Sequence, residues 1–380
     1  MKEENKMNKF TADGPEFRAA LKKVMLCHER RNTIPILGMV RITAENGKLA
    51  LCITDLDFEL TATIGAETTG AIDTTANPRA LAQLLKYATG AVTITQDGGK
   101  FTLSDGEITA TWQEVCPASD WPAMEINGEM AASVSGAAMF RALDKVQTCI
   151  STEETRYYLN GAYLESKDGN LRSVAADGHR LAVYDAGEAW PFESAIMPTK
   201  AVKMLCALIG ARANGDINVS QSVTQGPPQK DRDGKLIDQL PLVRFAFYGA
   251  NWTLRAKTID GKFPNYSKVI PEPDDTIRFT VSADALRRFP SPRGFFAESR
   301  CIKIDAENGL MSQRDHDGMT VSIPVSGRGP AIGFNLRYLM DFARKFGATR
   351  LESKGPMEPA RVITDDPASL LVLMPMKVGK

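Results

Sequence analysis

The chain has 380 residues, 43% hydrophobic and 24% charged, and its 46 basic residues are balanced by 46 acidic ones. That length suits two or three ordinary domains with real cores, and the composition excludes both a disordered and a membrane-embedded chain. No window supplies the run of about 20 apolar residues a spanning helix needs, and the opening MKEENKMNKF is too polar for a secretory signal, so a cytoplasmic protein is expected.

In chain order, FTADGPEFRAALKKVMLC places a short alternating strand before a helix whose Phe17, Leu21, Val24 and Met25 share one face. RITAENGKLALCI follows as strand, tight turn and strand, with Gly47 completing an Asn-Gly pair. ANPRALAQLLKYATG reads as a capped helix ending near glycine, and DWPAMEI closes the segment with a proline. The same succession then recurs. ASVSGAAMFRALDKVQTC carries a strand and a helix with Met139, Leu143, Val146 and Ile150 on one face. AYLESKDGNLRSV is a hairpin turning at Gly169, IMPTKAVKMLCALIG is a helix and KFPNYSKVI a closing segment. A third round runs through FTVSADALRRF, IKIDAENGLMSQ with its turn at Gly309, GFNLRYLMDFARKFG and VLMPMKV.

The spacings keep step: Gly47 to Pro78 is 31 residues, Gly169 to Pro198 is 29, and Gly309 to Asn335 is 26. A period of about 120 residues is too long for a solenoid, whose repeats run about 20 to 50. It predicts an α+β chain of three similar domains in series, 1–128, 129–273 and 274–380. Two helices and two groups of strands in each suggest a further internal duplication, with helices on one face of antiparallel sheets. Pro78 to Pro122 spans 44 residues but Pro198 to Pro264 spans 66. The surplus of about 22 fits residues 223–242, VTQGPPQKDRDGKLIDQLPL, whose glycine, proline and charge predict a surface loop.

Charge is segregated by element. The six predicted helices and their flanks hold Arg18, Lys22, Lys23, Arg30, Arg31, Arg79, Lys86, Arg141, Lys145, Lys200, Lys203, Arg287, Arg288, Arg337, Arg344 and Lys345. Against these stand Asp13, Glu16, Glu29, Asp144, Asp284 and Asp341. Basic helices in a neutral chain would attract a phosphate backbone without reading bases, because phosphate contacts carry no direct sequence information. The alternative is a set of solvated helix faces.

The six cysteines, Cys27, Cys52, Cys116, Cys149, Cys206 and Cys301, form no CxxC pair and have no histidine at zinc-ligand spacing, so buried free thiols are expected. His179, in ADGHRLAV, lacks a nucleophile and an orienting partner, and as a turn residue it only has to pack and hydrogen-bond. Asp315, His316 and Asp317 precede Gly318 and read as a turn between strands before they read as a metal site. No catalytic residue, metal or cofactor is expected.

NTIPILG at 32–38, STEETRYYLNGAYLE at 151–165, SVAADGHRLAVYD at 173–185, KTIDGKFPNYSKVIP at 257–271 and the closing VLMPMKV resemble the bacterial DNA polymerase III β subunit, or β sliding clamp, family. The likeness runs from Phe10 to Val378. It implies the DNA-clamp fold and a non-catalytic processivity factor. It further implies a head-to-tail homodimer closing a ring, helices lining the hole, around duplex DNA held without sequence preference. The implied partners are the polymerase III α subunit, the clamp loader, and other polymerases and repair proteins carrying clamp-binding peptides; no membrane partner is implied.

Carried over position by position, the family's peptide pocket between its second and third domains would comprise Leu159, Ala176, Gly178, His179, Arg180, Leu181, Pro264, Lys268, Val269, Asn335, Tyr338, Val372, Met374 and Met376. The DNA contacts would be Arg31, Arg79, Tyr157, Tyr158 and Lys200; the alternative for the tyrosine pair is that one is a core residue and only the other faces the hole. Ala176 stands where threonine is usual and Lys268 where arginine is usual, which removes a hydroxyl and a forked donor. RRFPSPRGFFAESR, with Pro290 and Pro292, replaces an uninterrupted helix near the implied subunit interface, where Phe295 and Phe296 are the candidate apolar anchors. Two alternatives stay open: an enzyme acting on nucleic acid through Asp177, His179, Asp315 and His316, and a clamp-like protein that dimerises poorly.

Overall fold

The computed structural model describes residues 7–126, 130–225, 229–230, 236–237, 240–274, 276–290, 301–314, 318–347 and 350–378. Phe295, Phe296, Pro292 and the Asp315-His316-Asp317 triplet lie outside the described residues. By compactness the chain forms two units, one of residues 1–137 with 203–258 and one of 138–202 with 259–380.

The six predicted helices are present: α1 (Gly14–Val24), α2 (Pro78–Leu84), α3 (Gly136–Val146), α4 (Thr199–Ile209), α5 (Ala283–Arg288) and α6 (Leu336–Phe346). Short polar side chains fix several starts by accepting first-turn N–H groups. Asp13 accepts from Glu16, Asn77 from Arg79 and Ala80, Ser282 from Ala285, and Asn335 from Arg337. α6 ends at Gly347, whose φ of 64° terminates it in a left-handed turn. α5 stops after six residues, at Phe289 just before Pro290, as a proline without an N–H and a restricted preceding residue require. The apolar stripes are buried as the periodicity demands: Phe17, Leu21 and Val24 on α1, and Leu336, Leu339, Met340, Phe342, Ala343 and Phe346 on α6. Met25 falls past the end of α1 as its C-cap and is half-buried.

One strand order recurs three times. Val40–Glu45, Lys48–Thr54 and Phe58–Gly65 pair in sequence, with Ile72–Ala76 outside the first. Gly161–Lys167, Asn170–Ala176 and Arg180–Ala189 repeat this with Ala195–Pro198. Cys301–Asp305, Leu310–Arg314 and Thr320–Arg328 repeat it with Ile332–Asn335. A second four-strand order also occurs three times. It begins with Asn8–Asp13, Met130–Ser135 or Ile277–Val281 and passes to the three strands that follow α2, to Asp216–Thr224, Leu242–Tyr248 and Trp252–Lys257 after α4, or to the three strands that follow α6. The internal duplication is therefore a β-α-β-β-β half-repeat. In the first unit Trp252–Lys257 pairs with Phe58–Gly65, fusing two blocks into an eight-stranded sheet. In the second, Arg180–Ala189 pairs with Ser369–Leu373 inside a twelve-stranded sheet.

Two of the three glycine hairpins turn as predicted. Asn46 and Gly47 take φ of 50° and 78°, Asp168 and Gly169 51° and 81°, the paired positive values a two-residue turn needs. The third is longer. Asp305 pairs with Leu310, and the loop is held by the Asp305 carboxylate, which accepts from the Asn308 backbone N–H (3.2 Å) and side-chain amide (2.9 Å). The 223–242 surplus begins by prolonging a ribbon: Asp216–Thr224 pairs with Leu242–Tyr248 out to Thr224 opposite Leu242. Within it Gln229–Lys230 pairs with Leu236–Ile237.

Candidate functional site

In the second unit, Asn170–Ala176, Arg180–Ala189 and Ser369–Leu373 lie side by side, with Ala176 opposite Leu181 and Leu181 opposite Val372. Between the first two strands, Asp177 makes a turn of its own: its Oδ1 accepts the N–H of His179 (2.9 Å) and of Arg180 (3.0 Å). Gly178 takes φ of 86° there, a conformation that favours glycine. The chain leaves the last strand at Met374, whose N–H donates to the His179 carbonyl at 2.8 Å.

Against this floor stands the segment Phe263–Val269. Phe263 stacks on Tyr163 at 4.9 Å and 5°, and the Asn265 side chain caps the short 3-10 helix Tyr266–Val269 by accepting from Ser267. Floor and wall enclose a cavity of about 260 Å³ lined by Leu159, Ala176, Gly178, Arg180, Leu181, Phe263, Pro264, Asn265, Tyr266, Val269, Val372 and Met374. Leu159, Leu181, Phe263 and Val372 belong to the buried cluster beneath. The volume is below the range of about 300 to 1,000 Å³ usual for drug-sized ligands, and suits a few apolar side chains of a peptide.

Nine of the carried-over residues thus meet in one place: Leu159, Ala176, Gly178, Arg180, Leu181, Pro264, Val269, Val372 and Met374. The other five do not line this cavity. Lys268 is exposed on the 3-10 helix, Asn335 is consumed in capping α6, and Met376 donates its N–H to the Gly333 carbonyl. His179 and Tyr338 line a neighbouring polar cleft of about 550 Å³ with Glu153, Asp177, Arg337 and Asp341, which Arg180 also borders. Phe263, Asn265 and Tyr266 were not nominated; the aromatics flanking Pro264 in KFPNYSKVI were the available signal.

Arg180 joins the cavity to the cleft. Its Nε donates to Asp177 and its Nη1 to Asp341, both at 2.9 Å, and its guanidinium lies 4.1 Å from the centre of the Tyr338 ring. Burial works against its charge, and the Asp341 and Asp177 carboxylates outweigh that and hold it cationic. His179 is exposed and packs near-parallel to Tyr338. Asp177 is engaged by two backbone N–H groups and by Arg180, so it is not placed to orient the imidazole as a base.

The DNA candidates divide by exposure. Arg31 and Arg79 are exposed in the first unit, and Arg79 reaches the Arg30 carbonyl at 3.5 Å. Tyr157 is 53% exposed while Tyr158 packs half-buried against the pocket cluster. Lys200 is half-buried in the first turn of α4. Not every helical cation is available. Arg18 donates to the carbonyls of Leu85, Lys86 and Ala88, Lys145 pairs with Asp366, and Lys345 pairs with Asp144. Lys22, Lys86, Arg141, Lys203, Arg287, Arg288, Arg337 and Arg344 are exposed. Among the described residues no cluster of metal-ligating side chains occurs, and no helix is long and apolar enough to cross a membrane.

Family profiles match in two places: "DNA polymerase III beta subunit, N-terminal domain" over residues 8–125 and "DNA polymerase III beta subunit, central domain" over 133–265. The beta sliding clamp of Caulobacter vibrioides is 32% identical over 398 residues, covering 97% of this chain and 100% of the relative. The chain belongs to the β sliding clamp family. The Escherichia coli K12 clamp is 26% identical over 392 residues, covering 97% of this chain and 100% of the relative. Among solved structures, the sliding clamp of Bartonella birtlesii, bound to griselimycin, has 28% identity and a TM-score of 0.82, covering 98% of this chain and 100% of that one. The β sliding clamps are processivity factors of DNA replication, and this chain is one of them.

Proposed function

We propose that two copies of this chain close head to tail into a ring around duplex DNA. The ring raises the processivity of the replicative polymerase without catalysing a reaction, and it docks partners through the apolar pocket. On this proposal the chain has three domains, 1–128, 129–273 and 274–380, and works in the cytoplasm on nucleoid DNA. Its peptide-bearing partners are the polymerase III α subunit, the clamp loader, and other polymerases and repair proteins.

The observation that carries the docking role is the cavity under Met374, which gathers nine nominated residues from four separate stretches of chain. Apolar anchors of an extended peptide would enter between Val269 and Met374, over Leu181 and Val372, with Arg180 at the polar end. Exposed cations such as Arg31, Arg79, Arg141 and Lys203 suit loose phosphate contacts, which a sliding ring needs because enclosure supplies the retention.

The test is retention on closed circular DNA at moderate salt. A ring stays on the circle and leaves after linearisation; equal loss from both forms refutes enclosure. In parallel, a labelled peptide from the polymerase tail should bind the wild-type chain and lose affinity on Leu181→Ala or Met374→Ala.

A further inference from the structure

Tyr266, in the pocket wall, meets a row of charges that lies across three neighbouring strands. Glu165 is paired directly with Arg172, and Arg172 directly with Asp185. Two residues along each strand, on the same face, lies the apolar row Tyr163, Val174 and Val183. The wall crosses both rows. Phe263 stacks on Tyr163 in the apolar row, and the Tyr266 hydroxyl sits over the charged one, donating to the Glu165 carboxylate and accepting from Arg172 Nη1 at 3.4 Å. Arg172 is itself locked by a two-point bond to Asp185, at 2.6 and 2.8 Å. A fork of this kind has little rotational freedom, so it presents a fixed donor.

Tyr266 also lines the cavity, and it opens the 3-10 helix that carries Val269. The wall itself is exposed at Pro264, Asn265, Ser267, Lys268 and Val269. The aromatic pair Phe263 and Tyr266 therefore ties it to the sheet. Burial and the Glu165 acceptor push the Tyr266 phenol up to about 12, so it remains a donor throughout the neutral range.

We propose that Tyr266 is a positioning residue of the pocket: clamped by Glu165 and Arg172, it holds the wall Phe263–Val269 in place before a peptide arrives. The proposal rests on the peptide-docking role proposed above. A wall already ordered spares the incoming peptide the cost of ordering it, which appears as affinity.

The test uses the full-length chain, a fluorescein-labelled peptide with leucine and phenylalanine anchors, and hydrogen–deuterium exchange of the free protein. Tyr266→Phe and Glu165→Ala should each weaken the peptide about five- to tenfold, as loss of one net hydrogen bond of about 1 kcal/mol implies. The double variant should be no weaker than the worse single. Glu165→Gln, whose amide oxygen still accepts the phenol proton, should bind nearly as wild type. Exchange should accelerate across residues 263–269 in Tyr266→Phe while α6 and the melting temperature stay unchanged.

Unchanged affinity and exchange in Tyr266→Phe would overturn the proposal. So would weaker binding with unchanged exchange, since the hydroxyl would then be touching the peptide itself. A general fall in melting temperature with faster exchange everywhere would make the residue merely structural. Met374→Ala separates the two levels: if it binds as wild type the docking role has failed, and the exchange result still decides whether the phenol fixes the wall.

Discussion

Val372 and Met374 lie two residues apart at the end of the chain, both lining the cavity, yet they should respond oppositely to truncation. Val372 is 2% exposed, paired with Leu181 on one side and Arg361 on the other, and packed in the cluster below the pocket. Val372→Ala removes two buried methyl groups at about 0.8 kcal/mol each and leaves a void, so about 2 kcal/mol of stability should be lost. Met374 is 37% exposed, and its strand-like position is fixed by its backbone N–H on the His179 carbonyl, which truncation leaves intact. Met374→Ala should therefore leave stability within about 0.5 kcal/mol of wild type. It should cost the bound peptide about 1 to 2 kcal/mol, or roughly five- to thirtyfold in affinity, as loss of an interface side chain does. Fluorescence anisotropy with a labelled partner peptide and thermal melts of the same samples read both quantities. Wild-type peptide affinity in Met374→Ala, or a melting temperature that falls as far as that of Val372→Ala, would refute this division between pocket lip and core floor.

Three further outcomes follow from the geometry. Arg180→Met should destabilise the second unit by about 3 kcal/mol, because two part-buried carboxylates lose their shared cation; a midpoint of urea unfolding equal to wild type would contradict this. Arg31→Glu with Arg79→Glu should leave the fold unchanged and lower the slope of log affinity against log salt on DNA, by about 1 for each phosphate no longer neutralised; an unaltered slope would remove both residues from the DNA face. Lys303 and Asn308 hold the Asp305 carboxyl down to about 2, against 3.8 ordinarily. The folded value is the lower one, so its contribution is complete above about pH 4 and fades as pH falls toward 2. Asp305→Asn should flatten that part of the acid-unfolding curve, and an identical acid limb would show that the third hairpin does not draw on the ion.

Much of the fold was legible because it rests on local chemistry. Asn-Gly and Asp-Gly pairs set two hairpins, Asp13, Asn77 and Asn335 set helix starts, and Pro290 set the early end of α5. The third hairpin was less so: the same Asn-Gly letters sit in a four-residue loop because the Asp305 carboxylate offers Asn308 a competing acceptor. Among the cations, sequence could not separate Arg18, Lys145 and Lys345 from Arg79 and Arg344. Their partners stand far along the chain, Leu85 for Arg18, Asp366 for Lys145 and Asp144 for Lys345, and only folding decides which charges are left for solvent.

The pocket divides in the same way. Its floor was named only through the family resemblance, since Asn170–Ala176, Arg180–Ala189 and Ser369–Leu373 carry continuous buried runs that by themselves read as core strands. In the wall the resemblance named Pro264 and Val269 but not Phe263 or Tyr266, because these reach Tyr163, Glu165 and Arg172 across about 100 residues and no local periodicity encodes that meeting. The sequence by itself determined the thrice-repeated pattern of strands and helices, because caps, turns and apolar spacing act within a few residues. Tertiary structure alone decided which surfaces remain unpaired for a ligand, because a side chain is free only when nothing distant has already claimed it.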